Sequence, residues 1–201
     1  MSNDDRNERH KKAMQRRKEI VDEKIAQAQT ERGVFIVITG NGKGKTSSAI
    51  GTAVRSLGHG FKVGLIQFIK GTQATGEVLY LQDDPNLYLH QMKTGFTWET
   101  QNRDADIAAA RETWSHALPL LSNPDIHLVV LDEITYMLKY GYLSIEEVLP
   151  AIMNRPAHQS VIVTGRAAHR DLLENADTVS EINPLKHAFE AGIKAQVGIE
   201  W

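Results

Sequence analysis

Two hydrophobic patterns divide the chain. Over residues 5–31 there is no Gly or Pro, and Met14, Val21, Ile25 and Ala28 recur at helical spacing. This stripe is narrow, so the predicted helix is not stable alone and must lie on something: its own domain, or a ligand or partner that it covers. From Gly33 the pattern changes. Val34–Ile38 is a continuous apolar run rich in β-branched residues, as expected of a strand buried on both faces of a parallel sheet. A glycine-rich loop follows, then a helix with Ala49, Ile50, Ala53, Val54 and Leu57 on one face, closed by Gly58 and Gly60. Strand-like runs recur at Val63–Ile69, Leu87–Met92, Leu128–Leu131 and Val161–Thr164. A helix is predicted from Asp104 to Leu121, with Ile107, Trp114, Leu118 and Leu121 on one side and Pro119 kinking or ending it. Ser144 with Glu147 has the form of a capping box opening another helix before Pro156. Strands alternating with helices predict an α/β fold, a parallel sheet covered on both faces. The expected organisation is a charged N-terminal helical arm, residues 1–32, and one α/β domain, residues 33–201.

Composition narrows the function classes. In 201 residues, 41% hydrophobic and 24% charged, there is no apolar run long enough to span a membrane. The N-terminus has no apolar core of a secretory signal, so cytoplasmic residence is expected. The absence of cysteine excludes a disulfide scaffold, a Cys-ligated metal and a thiol nucleophile. The net charge of −2 is unevenly spread: residues 1–32 carry nine Lys and Arg against seven Asp and Glu, and the other 169 residues carry 14 against 18. A body with an acidic excess lacks the electrostatic footprint of a nucleic-acid binder.

The strongest chemical signal is Thr39-Gly40-Asn41-Gly42-Lys43-Gly44-Lys45-Thr46, between the first strand and the first helix. Glycines there let backbone N–H groups turn toward phosphate oxygens, Lys45 offers a cation to the terminal phosphates, and Thr46 offers a hydroxyl to magnesium. The helix N-terminus adds its dipole. A strict phosphate-loop motif would begin with Gly where this chain has Thr39. Leu128–Leu131 leads into Asp132 and Glu133, the form of a Walker B segment, and either carboxylate suits the same cation. Thr94–Arg103 reads as a loop in which Phe96 and Trp98 either cover the core or form a platform for a flat, apolar ligand; periodicity does not choose. Arg166 and His169 follow the Val161–Thr164 strand, at the end where open α/β sheets bind ligands, although an ordinary loop fits equally. The eight histidines show no H-E-x-x-H spacing, which disfavours a zinc enzyme.

Taken together, TGNGKGKT, QFIKG (67–71), TGFTWETQNR (94–103), LDEITYML (131–138), TGR (164–166), ADTVSE (176–181) and the C-terminal KHAF and GIKAQ segments resemble the P-loop type of ATP:corrinoid adenosyltransferase over nearly the whole chain. Thr39 matches the form of the loop in that family, and FTWETQNR is its more specific mark. The resemblance implies a RecA-like P-loop fold and transfer of the 5′-deoxyadenosyl group of ATP to the Co(I) of a reduced corrinoid such as cob(I)alamin, with release of triphosphate, in making and salvaging coenzyme B12. It implies that residues 40–46 grip the triphosphate, that Thr46 and Glu133 (Asp132 as the alternative) hold Mg2+, and that Phe96 and Trp98 lie against the lower face of the corrin ring. It further implies a lid role for the arm, a homodimer and a reduced flavodoxin-like electron donor. An ordinary P-loop ATPase or small-molecule kinase, or a non-catalytic nucleotide-binding module, would share the phosphate loop but has no use for FTWETQNR.

Overall fold

The structure is a computed structural model that describes residues 3–69, 75–92 and 102–200. It divides into two compact units, one up to Glu31 and one from Arg32. The first is a single helix, α1 (Asn3–Gln27), on which Met14, Ile20, Val21 and Ile25 are exposed.

The second unit holds, in order, β1 (Phe35–Thr39), α2 (Lys45–Gly58), β2 (Lys62–Gln67), α3 (Gly76–Leu81), β3 (Leu87–Gln91), α4 (Arg103–Ser122), β4 (Ile126–Asp132), α5 (Ile134–Lys139), α6 (Ile145–Met153), β5 (Ser160–Thr164), α7 (Arg170–Asn175) and β6 (Thr178–Glu181). The six strands form one sheet in the order β3-β2-β4-β5-β1-β6, every neighbouring pair parallel. This is the parallel α/β architecture that the alternation of elements predicts, in the P-loop form that the family resemblance implies. β5 lies between β1 and β4, so the strand that feeds the glycine loop and the strand that ends in Asp132 are one strand apart.

Side chains alternate across the sheet and build two cores. Phe35, Val37, Ile66, Val129, Leu131, Val161 and Val163 face one side, where Trp114, Ala117 and Leu121 of α4 and Val148 and Ile152 of α6 cover them. Ile38, Val63, Leu65, Leu128, Val130 and Ile162 face the other, under Ala49, Ile50 and Ala53 of α2 and Leu81 of α3. Burial on both sides is why these strands read as unbroken apolar runs.

Three local expectations are corrected. Helix α4 runs through Pro119 to Ser122, one residue beyond the expected end, so of the kink or end expected at Pro119 the end does not occur: a proline near the last turn removes only one ladder bond. One buried side chain then closes the turn from α4 into β4: Gln159 Nε2 lies within hydrogen-bonding distance of the carbonyls of Leu120 in α4, Asn123 just after it and Ile126 at the start of β4, at 2.9, 3.2 and 3.0 Å. The buried face of α4 is Asp106, Ala110, Thr113, Trp114, Ala117, Leu120 and Leu121, and Leu118 lies off it, 40% exposed, because small alanines let the helix approach the sheet there. Ser144 is the N-cap of α6, but its side chain makes no capping hydrogen bond.

Candidate active site

The site is built at the C-terminal ends of β1, β4 and β5, where loops leave a parallel sheet on the side suited to ligands. After β1 the chain turns through Gly40 and Gly44, with φ of 98° and 118°, angles that side chains rarely tolerate. A Cβ on Gly40 or Gly42 would also collide with the backbone of Ile182, just beyond β6. Ile182 fixes the loop from that side: its N–H donates to the Thr39 carbonyl at 2.9 Å, and its own carbonyl accepts from Gly42 N–H at 2.6 Å. Thr39, the position that departs from the strict motif, accepts from Ala168 N–H through its hydroxyl at 3.4 Å. Its side chain thus ties the phosphate loop to the loop after β5.

Gly44 is the N-cap of α2, and Ser48 N–H donates to its carbonyl at 2.9 Å, the first bond of the helix. The amides of Lys45, Thr46 and Ser47 therefore have no acceptor within the helix, and with the helix dipole they form an anion-binding end. Lys45 is 6% exposed, and its Nζ donates to the Gly42 carbonyl at 2.8 Å. Burial, joined by the Arg166 charge, pushes its pKa below the ordinary lysine value, while Glu133 and Asp132 act in the opposite sense. Asn41 and Lys43 are exposed, and Lys43 Nζ pairs with Glu200 at 2.6 Å.

Asp132 is fully buried at the end of β4. Its Oδ1 accepts from Thr46 Oγ1 at 2.9 Å and from Thr164 Oγ1 at 2.6 Å, and its Oδ2 accepts from Gln67 Nε2 at 3.1 Å. Gln91 Nε2 in turn donates to Gln67 Oε1 at 2.7 Å, which extends the chain of bonds to β3. The next residue, Glu133, has φ 62°, a strained conformation of the sort that persists where the surroundings over-determine it. Thr164 Oγ1 accepts its N–H at 3.0 Å. One threonine of β5 thus holds the carboxylate of Asp132 and the backbone of Glu133. Burial, then the Glu133 charge, also raise the Tyr136 pKa above its ordinary value.

After β5, Gly165 has φ 138° and a Cβ there would overlap Thr135. Thr135 Oγ1 donates to the Arg166 carbonyl at 2.8 Å. This turn leaves Arg166 exposed and near enough to shift both Lys45 and Tyr136. His169 goes elsewhere. Its Nδ1 accepts from Asp171 N–H at the start of α7, and it lines a cavity of about 290 Å3 with Arg111, Leu138, Tyr142 and Ile145, among others, none from the phosphate loop. Phe96 and Trp98 lie outside the described residues.

The structure therefore brings together Lys45, Thr46, Asp132, Glu133 and Arg166 from three separate segments. Sequence reasoning missed Gln67 and the positioning threonines, Thr135 and Thr164. Gln67 did carry a signal, a polar residue inside the otherwise apolar run Val63–Ile69; the structure buries it fully at the end of β2. Chemically, a buried cation and a free helix N-terminus face hydroxyl and carboxylate oxygens. That arrangement suits a polyphosphate accompanied by a hard cation.

Comparison with known proteins agrees with this chemistry. The sequence model of the family described as ATP:corrinoid adenosyltransferase BtuR/CobO/CobP matches residues 31–201, and that described as Cob(I)alamin adenosyltransferase N terminal matches residues 1–25. The chain is 56% identical to the corrinoid adenosyltransferase of Escherichia coli strain K12 over 96% of its own length and 98% of the relative's. It is 55% identical to that of Salmonella typhimurium over the same shares, and 54% identical to that of Pseudomonas aeruginosa over 98% of each chain. The chain belongs to the ATP:corrinoid adenosyltransferase family.

Proposed function

We propose that the chain transfers the 5′-deoxyadenosyl group of ATP to the cobalt of a reduced corrinoid, in the making and salvage of coenzyme B12. The observation that carries the proposal is the junction of Lys45, the α2 N-terminus and Thr46 with Asp132, an arrangement suited to gripping a triphosphate. The corrinoid supplies the nucleophile: the Co(I) electron pair attacks C5′ of the ribose, the Co–C5′ bond forms, the C5′–O bond breaks, and its electron pair leaves with inorganic triphosphate. The protein's part is to hold the leaving group and stabilise its growing charge, with Gly40–Thr46 around the phosphates and Lys45 and Arg166 as cations.

The hydroxyl of Thr46 and the carboxylate of Asp132, in contact, are an all-oxygen donor set that fits magnesium, with Glu133 beside them. When bound, magnesium neutralises phosphate charge. Phe96 and Trp98 serve as the apolar platform under the corrin, excluding water and a lower axial base so that Co(II) is more easily reduced. The arm acts as a lid, the enzyme works as a cytoplasmic homodimer, and a reduced flavodoxin-like protein supplies electrons. Among the described residues, no helix is long and apolar enough to cross a membrane.

The test is an anaerobic assay with MgATP and chemically reduced cob(I)alamin. Loss of Co(I) absorbance, with light-sensitive adenosylcobalamin and inorganic triphosphate as products, is the expected result. Accumulation of ADP and phosphate with Co(I) intact would favour an ordinary ATPase instead.

A further inference from the structure

Adjacent residues of β3 face opposite ways. Gln91 leads through Gln67 toward Asp132, whereas His90, in register with the buried Ile66, faces α4. There it meets Glu112 and His116, one helical turn apart on α4. His90 Nε2 lies 3.4 Å from Glu112 Oε2, and His116 Nε2 lies 3.0 Å from Glu112 Oε1. The two imidazoles stack with centroids 3.8 Å apart. One ligand atom from each of the three residues falls within 4.8 Å of the others.

We propose that His90, Glu112 and His116 form a binding site for a divalent transition-metal ion, zinc above all, separate from the magnesium donors Thr46 and Asp132. Two ligand atoms each about 2.0–2.1 Å from a tetrahedral zinc stand roughly 3.3 Å apart, close to the 3.4 Å between His90 Nε2 and Glu112 Oε2; His116 Nε2 meets the other oxygen at 3.0 Å, and one imidazole turns out of the stack for both nitrogens to aim at one ion. Two imidazoles and a carboxylate favour zinc and its neighbours over magnesium, which prefers oxygen donors and water. The outer shell is also in place: Tyr88 Oη lies 2.7 Å from His116 Nδ1. With Nε2 on the metal, Nδ1 carries the proton and donates it to the phenol, which fixes the tautomer that a metal-bound histidine needs. The ion ties edge strand β3 to helix α4. The spacing in sequence hides this site, because Glu112 and His116 show no second histidine on their own helix, and His90 comes from a strand that precedes them.

The experiment is calorimetric titration of the full-length, chelator-treated protein with zinc chloride in excess magnesium and without nucleotide. The expected result is one zinc bound per chain. His116→Ala weakens binding at least about 100-fold, and Tyr88→Phe weakens it about 10-fold, as loss of an outer-shell partner does. Both positions are partly exposed, and unchanged circular dichroism shows that the variants fold. Should His116→Ala lose its fold, Glu112→Gln, on the surface of α4, gives the same comparison. Diffraction at the zinc edge then shows the anomalous peak between the three side chains. Zinc uptake no tighter in the parent than in His116→Ala, or a peak elsewhere, would overturn the proposal and leave an ion-free hydrogen-bonded cluster.

Discussion

At Lys45 burial and the Arg166 charge oppose protonation, and the carboxylates of Asp132 and Glu133 support it. In the proposed reaction a bound triphosphate adds further negative charge beside this buried cation, so the side chain gains most when the leaving group's charge grows. Lys45→Ala is expected to lower kcat/KM for adenosylation at least about 100-fold. Its circular dichroism should not change, since the Nζ bond it loses is to a loop carbonyl. Activity close to that of the parent would take the loop out of the mechanism. Trp98→Ala is expected to spare ATP binding and to slow reduction of Co(II) more than alkylation of pre-reduced Co(I); equal losses in the two assays would make the indole merely structural. The residues proposed to act on phosphate were legible as candidates because their spacing is local: eight consecutive positions, and a carboxylate closing an apolar run. Thr164 and Gln67 were not, because what they do depends on β5 and β2 both lying against β4, a fact of sheet order and not of spacing.

Elements differ in how strongly they constrain a single position, and two glycines of the same domain show the contrast. Gly51 is in mid-α2 with nothing near the place of a Cβ. Gly51→Ala is therefore expected to stabilise the protein by about 0.5–1 kcal/mol through helix propensity. Gly165 combines φ 138° with a Cβ position already filled by Thr135. Gly165→Ala is expected to cost about 1–3 kcal/mol and to disturb the Arg166 turn. Urea unfolding of both variants checks the pair, and equal and small shifts would show that the turn relaxes freely. The central strands were legible because burial on both faces leaves unbroken apolar runs. Strand β6 was not: all four of its residues are exposed at the sheet edge, and Thr178–Glu181 has no apolar alternation to read. The face of α4 was misjudged for a related reason, since alanines form much of its contact and carry little hydrophobic signal.

At the scale of the molecule, one ion pair joins the segments that lead into the parallel strands β1 and β6. Arg32 binds both oxygens of Asp177, and Asp177 Oδ2 also accepts from Phe35 N–H at 2.8 Å. The Arg32 guanidinium, then that backbone N–H, hold the Asp177 carboxyl well below the usual carboxylate range. A depressed folded-state pKa means that the unfolded chain takes up the proton first. The contribution is thus complete at neutral pH and starts to be lost as pH falls below about 4. Asp177→Asn should be less stable than the parent at pH 7, with the gap narrowing in acid; a gap constant from pH 7 to pH 3 would mean the charge is irrelevant. The pair also decides where the chain can be cut. Removing residues 1–31 keeps Arg32, and the division into units at that point predicts that the remaining domain folds with a Tm near that of the parent. The arm itself is a charged helix of 25 residues with an apolar stripe too narrow to sustain it, so its order depends on what it covers. If that cover is the bound corrinoid, the truncated enzyme should still turn over pre-reduced cob(I)alamin but release it faster in a stopped-flow chase. Unaltered release would remove the lid role, and an insoluble product would make the arm part of the domain's own core.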